Sequence, residues 1–170
     1  MTLMRIKRGA GVLGRDLAGC AAMTQPLSLD AFLPFRLSVV SNVVSDAIAS
    51  TYQALFGLRI PEWRLVAVIA ESDGLSQQQL GARTRMDKVT VSRAAIALAG
   101  RGLIERRANP VDQRSHLLSL TPDGRALYEQ VAPKALEMEA RIFGGLDAAE
   151  LDRFRAVLER VEAAAGGLEG

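Results

Sequence analysis

The sequence predicts a mainly helical fold with one short β-hairpin, which places it in the α+β class. Three observations predict this. Ala and Leu dominate, and aromatic residues make up only 5% of the chain, a composition that favours helices. Apolar residues recur at helical spacing over most of the chain, and the spacing becomes that of strands only between residues 103 and 120. The length of 170 residues suits one domain.

Residues 1–29 precede the first predicted helix and are interpreted as a flexible leader. The segment LAGC at 17–20 resembles a lipoprotein cleavage site. Charged residues just before it interrupt the apolar run of about 7–15 residues that a signal core needs. We therefore expect no export. Whether Met23 is the usual start stays open, and Cys20 is assigned no role.

The first predicted helix covers residues 30–56, with Asp30 as its N-cap and Gly57 after its end. It has two apolar stripes, and a helix that is apolar on two faces must bury both. In a chain of this size we expect one of those faces to contact a second subunit. Pro61 opens the next helix, because proline is favoured in a first helical turn.

A helix-turn-helix pair follows. Ser76 and Gln79 have the spacing of a capping box, and the helix that they open extends to about Thr84. Asp87 is the next N-cap, and its helix extends to about Gly100.

The predicted strands come directly after this pair. They cover residues 103–107 and 116–120 and are joined by turn-forming residues at 109–114, so that they form a hairpin, or wing. Thr121 and Pro122 then start a long helix, and a capping box at 147–150 opens a last one. A dimer would bury the apolar stripes of these helices together with those of the helix at 30–56.

The net charge of +2 conceals a strong asymmetry along the chain. Residues 73–121 contain eight basic and four acidic residues, whereas residues 122–170 contain six basic and ten acidic ones. A basic middle and an acidic end indicate that one segment faces an anion and the other faces water. Nucleic acid is the obvious anion.

Candidate DNA-binding residues lie on the second helix of the pair and on the wing. A recognition helix reads the major groove with its N-terminal residues, and donors on that helix and basic residues on the wing can reach bases and phosphates. These residues are Lys88, Thr90, Ser92, Arg93, Arg106, Arg107 and Arg114. The alternatives are an ordinary solvated helix face and a surface turn in which Asp112 pairs with Arg114.

The sequence lacks the residues that several other classes of function require. One His and one Cys exclude a disulfide scaffold and a zinc site of several Cys and His, and 73–121 has no Gly-rich phosphate loop. No run of about 18 apolar residues predicts a membrane span. We expect no enzyme, cofactor or metal. The remaining rival is a winged-helix module for protein contacts without specific DNA binding.

The middle of the chain resembles the MarR family of bacterial winged helix-turn-helix regulators. The resemblance rests on residues 86–93 (MDKVTVSR), on Leu98 with 102–107 (GLIERR), and on the wing motif Asp112-x-Arg114 with its exit 118–124 (LSLTPDG). It covers roughly residues 30–165. It implies a domain at 30–166 with a winged helix-turn-helix at about 61–121 and dimerisation helices at about 30–56 and 122–165.

The resemblance also implies how such a protein acts. It implies an obligate homodimer that binds double-stranded DNA at a pseudo-palindromic operator, with the helix at 87–100 in the major groove. Arg114 would enter the minor groove, and Asp112 would orient it. Repression is the family's usual mode, and the resemblance implies a cytoplasmic protein associated with the bacterial nucleoid.

Members of the family usually respond to a small effector, often an aromatic acid or its thioester, bound between the dimerisation helices and the winged domain. The candidates for that site are Phe35, Arg36, Tyr52 and Trp63. The alternative is that Phe35 and Trp63 are core residues and that Arg36 forms a salt bridge. Peroxide sensing through a cysteine of the first helix is disfavoured, because Cys20 precedes that helix.

Overall fold

The structure of the protein is a computed structural model that describes residues 26–110, 112 and 114–168. The leader up to residue 25, with Cys20 and Met23, lies outside the described residues. The elements are α1 (Leu33–Phe56), α2 (Ile60–Ala70), β1 (Leu75–Ser76), α3 (Gln77–Thr84), α4 (Lys88–Gly100), β2 (Ile104–Ala108), β3 (His116–Leu120), α5 (Pro122–Phe143) and α6 (Ala148–Gly166). The predicted fold class, mainly helical with a helix-turn-helix and a wing, is confirmed.

The start of α1 differs from the prediction. Asp30 was expected to be the N-cap, but it lies in a turn, and the helix begins at Leu33. A helix capped at Asp30 needs the amide of residue 34 to donate to the carbonyl of Asp30. Residue 34 is a proline and has no N–H. Pro34 instead occupies the first turn of α1, where its missing donor costs nothing.

The three strands form one antiparallel sheet in the order β1-β3-β2. Ile104 of β2 pairs with Leu120 of β3 at one end of the wing, and Ala108 pairs with His116 at the other. The two-residue strand β1 was not predicted, because two residues are too few to display a period. It exists through its pairing with β3, in which Leu75 faces Leu118.

The hydrophobic core lies where α2, α3, α4 and α5 pack against the sheet. Its fully buried side chains are Leu58, Leu65, Val66, Ile69, Leu80, Val91, Leu98, Leu118 and Val131. They belong to the unit that starts at Val39; a separate unit ends at Ser38. In the described part of the chain, no helix is long and apolar enough to cross a membrane.

The wing is joined to α5 by a tight corner. The Thr121 hydroxyl donates to the Gly102 carbonyl at 2.6 Å and accepts from the Gly124 amide at 3.0 Å. It therefore caps α5 and links the start of that helix to the turn before β2. A Cβ on Gly124 would stand 1.9 Å from the Leu103 carbonyl oxygen. The approach of α5 to β2 therefore requires glycine at this position.

Candidate nucleic-acid interface

The N-terminus of α4 is held by Asp87, as predicted. One carboxylate oxygen accepts from the backbone amides of Val89 and Thr90 at 2.8 and 2.9 Å. The other accepts from the Thr90 hydroxyl at 2.6 Å. These bonds, that of the Thr90 hydroxyl first, lower the pKa of Asp87. The Thr90 hydroxyl therefore serves the helix cap, and only its acceptor capacity is left for DNA.

The two faces of α4 have different environments. The inner face packs into the core through Val91, Ala94, Ala95 and Leu98. Lys88 and Arg93 are exposed on the outer side, and Ser92 is half-buried. The predicted donors Lys88, Ser92 and Arg93 are thus available at the surface of the helix.

The two arginines of β2, Arg106 and Arg107, point to opposite faces of the wing. Side chains alternate between the faces of a strand, so Arg106 lies on the face of the buried Ile104, whereas Arg107 lies with Glu105 on the other face. The Arg107 Nε donates to the Glu105 carboxylate at 2.8 Å. Arg106 lines the cleft between the wing and the helix-turn-helix pair. The sequence prediction grouped these two arginines, and the strand separates them.

At the tip of the wing, Asp112 organises the backbone around Arg114. Its carboxylate accepts from the backbone amide of Arg114 at 3.0 Å, and its carbonyl accepts from the Ser115 amide at 3.0 Å. Among the described residues, the Arg114 side chain forms no salt bridge. Asp112 therefore contacts Arg114 through its backbone amide rather than through an ion pair.

A cleft of about 630 Å³ lies between the wing, the start of α3 and the start of α4. Three cationic side chains, Lys88, Arg106 and Arg114, line it. Three glutamines at 77–79, together with the wing residues Asn109, Ser115 and His116, add polar groups. The cleft can therefore accept a polyanion and donate hydrogen bonds to it at the same time.

Arg101, at the end of α4, fixes the position of that helix. Its guanidinium donates to the carbonyls of Phe56 and Gly57, at the end of α1, at 2.9 and 3.0 Å. It also lies 3.9 Å from the carboxylate of Glu62, which is buried and accepts from the Arg59 amide at 3.0 Å. The ends of α1 and α4 and the start of α2 thus meet at one charged junction.

The residues predicted for an effector site fall in different environments. Tyr52 is buried, and burial raises its pKa. Trp63 lies between two tyrosines, with ring centroids 5.9 Å from Tyr52 and 6.0 Å from Tyr128. Phe35 and Arg36 are exposed residues of α1. Tyr52 and Trp63 therefore have packing roles in this structure.

Sequence reasoning missed several residues that line the cleft. The glutamines at 77–79 and Asn109 do so, although their sequence patterns predict only a helix start and a turn. Outside the cleft, it also missed two exposed apolar residues of α4, Val89 and Ile96. Period analysis could have found both, because they lie off the inner stripe of Val91, Ala94, Ala95 and Leu98.

A helix-turn-helix pair followed by a wing, with cationic side chains around the cleft between them, defines a winged helix-turn-helix protein. Comparison with known proteins specifies the family. A MarR family model matches residues 56–115. The HTH-type transcriptional repressor Rv2887 of Mycobacterium tuberculosis is 27% identical over 135 residues, which are 79% of this chain and 96% of that protein.

Solved structures agree. A probable transcriptional regulator from Pseudomonas aeruginosa is 30% identical with a TM-score of 0.70, and the match covers 79% of this chain and 99% of that one. BpsR of Bordetella bronchiseptica, whose DNA binding is regulated by 6-hydroxynicotinic acid, is 25% identical with a TM-score of 0.74, over 81% and 98% of the two chains. The chain belongs to the MarR family of transcription regulators.

Proposed function

We propose that the protein is a cytoplasmic, ligand-responsive repressor that binds a pseudo-palindromic operator as a homodimer. In this proposal α4 enters the major groove and Arg114 enters the adjacent minor groove. The observation that carries the proposal is the cleft that Lys88, Arg106 and Arg114 line together. Three cations on one concave surface give the phosphate contacts on which DNA affinity depends.

The proposed contacts divide by chemistry. Lys88, Ser92 and Arg93 can reach base edges or phosphates from the outer side of α4. Arg106 faces the same cleft and contacts the backbone. Arg107 is paired with Glu105 on the far face of the wing, so we leave it out of the interface.

The homodimer is supported by apolar surface that one chain leaves uncovered. Within the described part of the chain, α6 contains no buried residue, although it carries Phe154, Val157, Leu158 and Val161, all exposed. Along α1, Val39, Val40 and Val43 are exposed as well. Contiguous apolar surface of this kind marks an interface, and two-fold symmetry would present two recognition helices to one duplex.

Repression and its release by an effector are supported by the relatives. Rv2887 is named a repressor, and DNA binding by BpsR is regulated by 6-hydroxynicotinic acid. We infer that this chain responds to a small aromatic acid or its thioester. Of the predicted effector residues, Phe35 and Arg36 are exposed to such a ligand. Tyr52 and Trp63 become accessible only if the rings of Tyr52 and Tyr128 move away from that of Trp63.

Replacement of Arg114 tests the DNA-binding proposal. The probe is a duplex recovered from a random DNA library by selection with the full chain. Arg114→Ala removes a minor-groove contact, and we expect it to weaken binding by on the order of 1–3 kcal/mol while the oligomeric state is unchanged. Electrophoretic mobility-shift titration measures the affinity.

Arg107→Ala is the matched control, since it removes a neighbouring wing arginine from the opposite face. We expect a change within about 1 kcal/mol, the usual value of an exposed ion pair. Equal affinities of Arg114→Ala and the wild type would refute the wing assignment. Binding that is insensitive to salt would instead favour a winged-helix module for protein contacts.

Trp63 gives a direct test of the effector proposal. It is the only tryptophan of the chain, so intrinsic tryptophan fluorescence reports on the ring cluster alone. We expect 6-hydroxynicotinate or a related aromatic acid to change this fluorescence and to release the selected duplex over the same concentration range. Release without a change in fluorescence would place the effector away from Trp63.

A further inference from the structure

The outer side of α4 exposes two large apolar side chains among its polar ones. Val89 is 56% exposed and Ile96 is 60% exposed. The core does not require either of them, because α4 is anchored through Val91, Ala94, Ala95 and Leu98 on its inner face. Both side chains are therefore available to a partner outside the described part of the chain, and their polar surroundings decide which of them has one.

Val89 is held rigidly at the start of the helix. It is the second residue of α4, and its backbone amide donates to the Asp87 carboxylate at 2.8 Å. Its β-branched side chain has one strongly preferred rotamer in a helix. The two methyl groups of Val89 therefore have few alternative orientations, and binding costs little side-chain entropy.

The surroundings of Val89 favour DNA as that partner. Lys88 precedes it and lines the cationic cleft, and Arg93 follows one turn later on the exposed side. A protein partner that covered Val89 would have to cover these cations too. A duplex supplies phosphates for the cations and base edges for the side chain between them.

Among the groups that base edges present in the major groove, only one can make an apolar contact with valine. Val89 can neither donate nor accept a hydrogen bond, and the major groove presents one apolar group, the 5-methyl of thymine. We propose that Val89 is a specificity-determining residue that recognises a thymine in each half-site through its 5-methyl group. This inference rests on the proposed function, which places α4 in the major groove.

Replacement of thymine by deoxyuridine tests the inference, because it removes the methyl group alone. The probe is the duplex selected from a random library by the full chain, with each thymine replaced in turn. We expect one thymine position per half-site at which the replacement weakens binding about fourfold, the factor for burying one methyl group. With Val89→Ala the same replacement should have no effect.

Two further variants sharpen the result. Ile96→Ala removes a similar exposed side chain two turns farther along α4 and should retain the full sensitivity to deoxyuridine. Val89→Thr keeps one of the two methyl groups and should therefore keep part of the sensitivity to deoxyuridine. Both positions are exposed, and circular dichroism verifies that each variant is folded.

The outcomes separate this inference from the function on which it rests. If the duplex binds in a salt-dependent way and Val89→Ala keeps the wild-type sensitivity to deoxyuridine, the assignment of Val89 is overturned while DNA binding stands. The same holds if no thymine methyl affects affinity. If no duplex can be selected at all, the proposed function fails and the inference fails with it.

Discussion

Arg106 and Arg107 are neighbours in β2, yet they have different environments. Arg106 lines the cleft, whereas Arg107 pairs with Glu105 on the opposite face of the wing. Composition and local charge cannot separate them, because both count equally toward the basic segment. The period of the strand does separate them once its register is known.

Asp87 links the pH dependence of stability to the recognition helix. Its pKa is lowered in the folded protein by the Thr90 hydroxyl and by the amides of Thr90 and Val89. Since the folded-state pKa lies below the unfolded one, this stabilisation is fully present above the ordinary aspartate pKa of about 3.9. It is lost as the pH falls through the lowered value.

We therefore expect Asp87→Asn to reduce the loss of stability in acid. Asparagine is also a good N-cap, so the variant keeps α4 capped but has no proton to bind. Urea unfolding of both proteins at a series of pH values from about 6 downward measures the effect. If the free energy of unfolding fell equally with pH in the two proteins below the ordinary aspartate pKa, Asp87 would not contribute to acid sensitivity.

At the scale of elements, the junction between β2 and α5 depends on one glycine. An alanine Cβ at Gly124 would clash with the Leu103 carbonyl oxygen, and the clash can be relieved only by moving α5 away from the wing. We expect Gly124→Ala to destabilise the fold by about 1–3 kcal/mol, as overpacking typically does. Denaturant unfolding measures the difference.

Gly100→Ala is the matched control for this prediction. A Cβ at Gly100 meets nothing within 4 Å, and alanine has a higher helix propensity than glycine. The variant should be as stable as the wild type or slightly more so. If the two substitutions had the same effect, close packing at Gly124 would not be what holds α5 against the wing.

The elements with strong local signals were predicted from the sequence. Ser76 with Gln79 and Asp147 with Glu150 form the capping boxes that their spacing predicted. Asp87 and Thr121 cap α4 and α5 as expected. In each case the signal and the contact lie within four residues, so the chain carries the information locally.

The features that the sequence did not predict depend on contacts distant in the chain. The strand β1 is created by pairing with β3, about forty residues later. Arg101 was not singled out, because its acceptors, the carbonyls of Phe56 and Gly57 at the end of α1, lie more than forty residues earlier in the chain. The packing of Trp63 between Tyr52 and Tyr128 joins three helices. No local pattern records these partners.

At the scale of the whole molecule, basic and acidic residues are concentrated in different segments of the chain. The segment 73–121, which includes α3, α4 and the wing, has the excess of basic residues, and the segment 122–170, with α5 and α6, has the excess of acidic ones. A polyanion is attracted to the first and repelled by the second. The exposed apolar residues of α6 lie in the acidic segment, where they suit a subunit contact.

The spacing of half-sites tests the central claim, that two chains joined by symmetry read one operator. In a dimer the recognition helices reach half-sites about 10–10.5 base pairs apart. Insertion of about five base pairs, half of that turn, moves one half-site to the opposite side of the duplex. We predict that the affinity for the selected operator then falls to that for unrelated DNA. Equal affinity for both duplexes would contradict binding as a symmetric dimer.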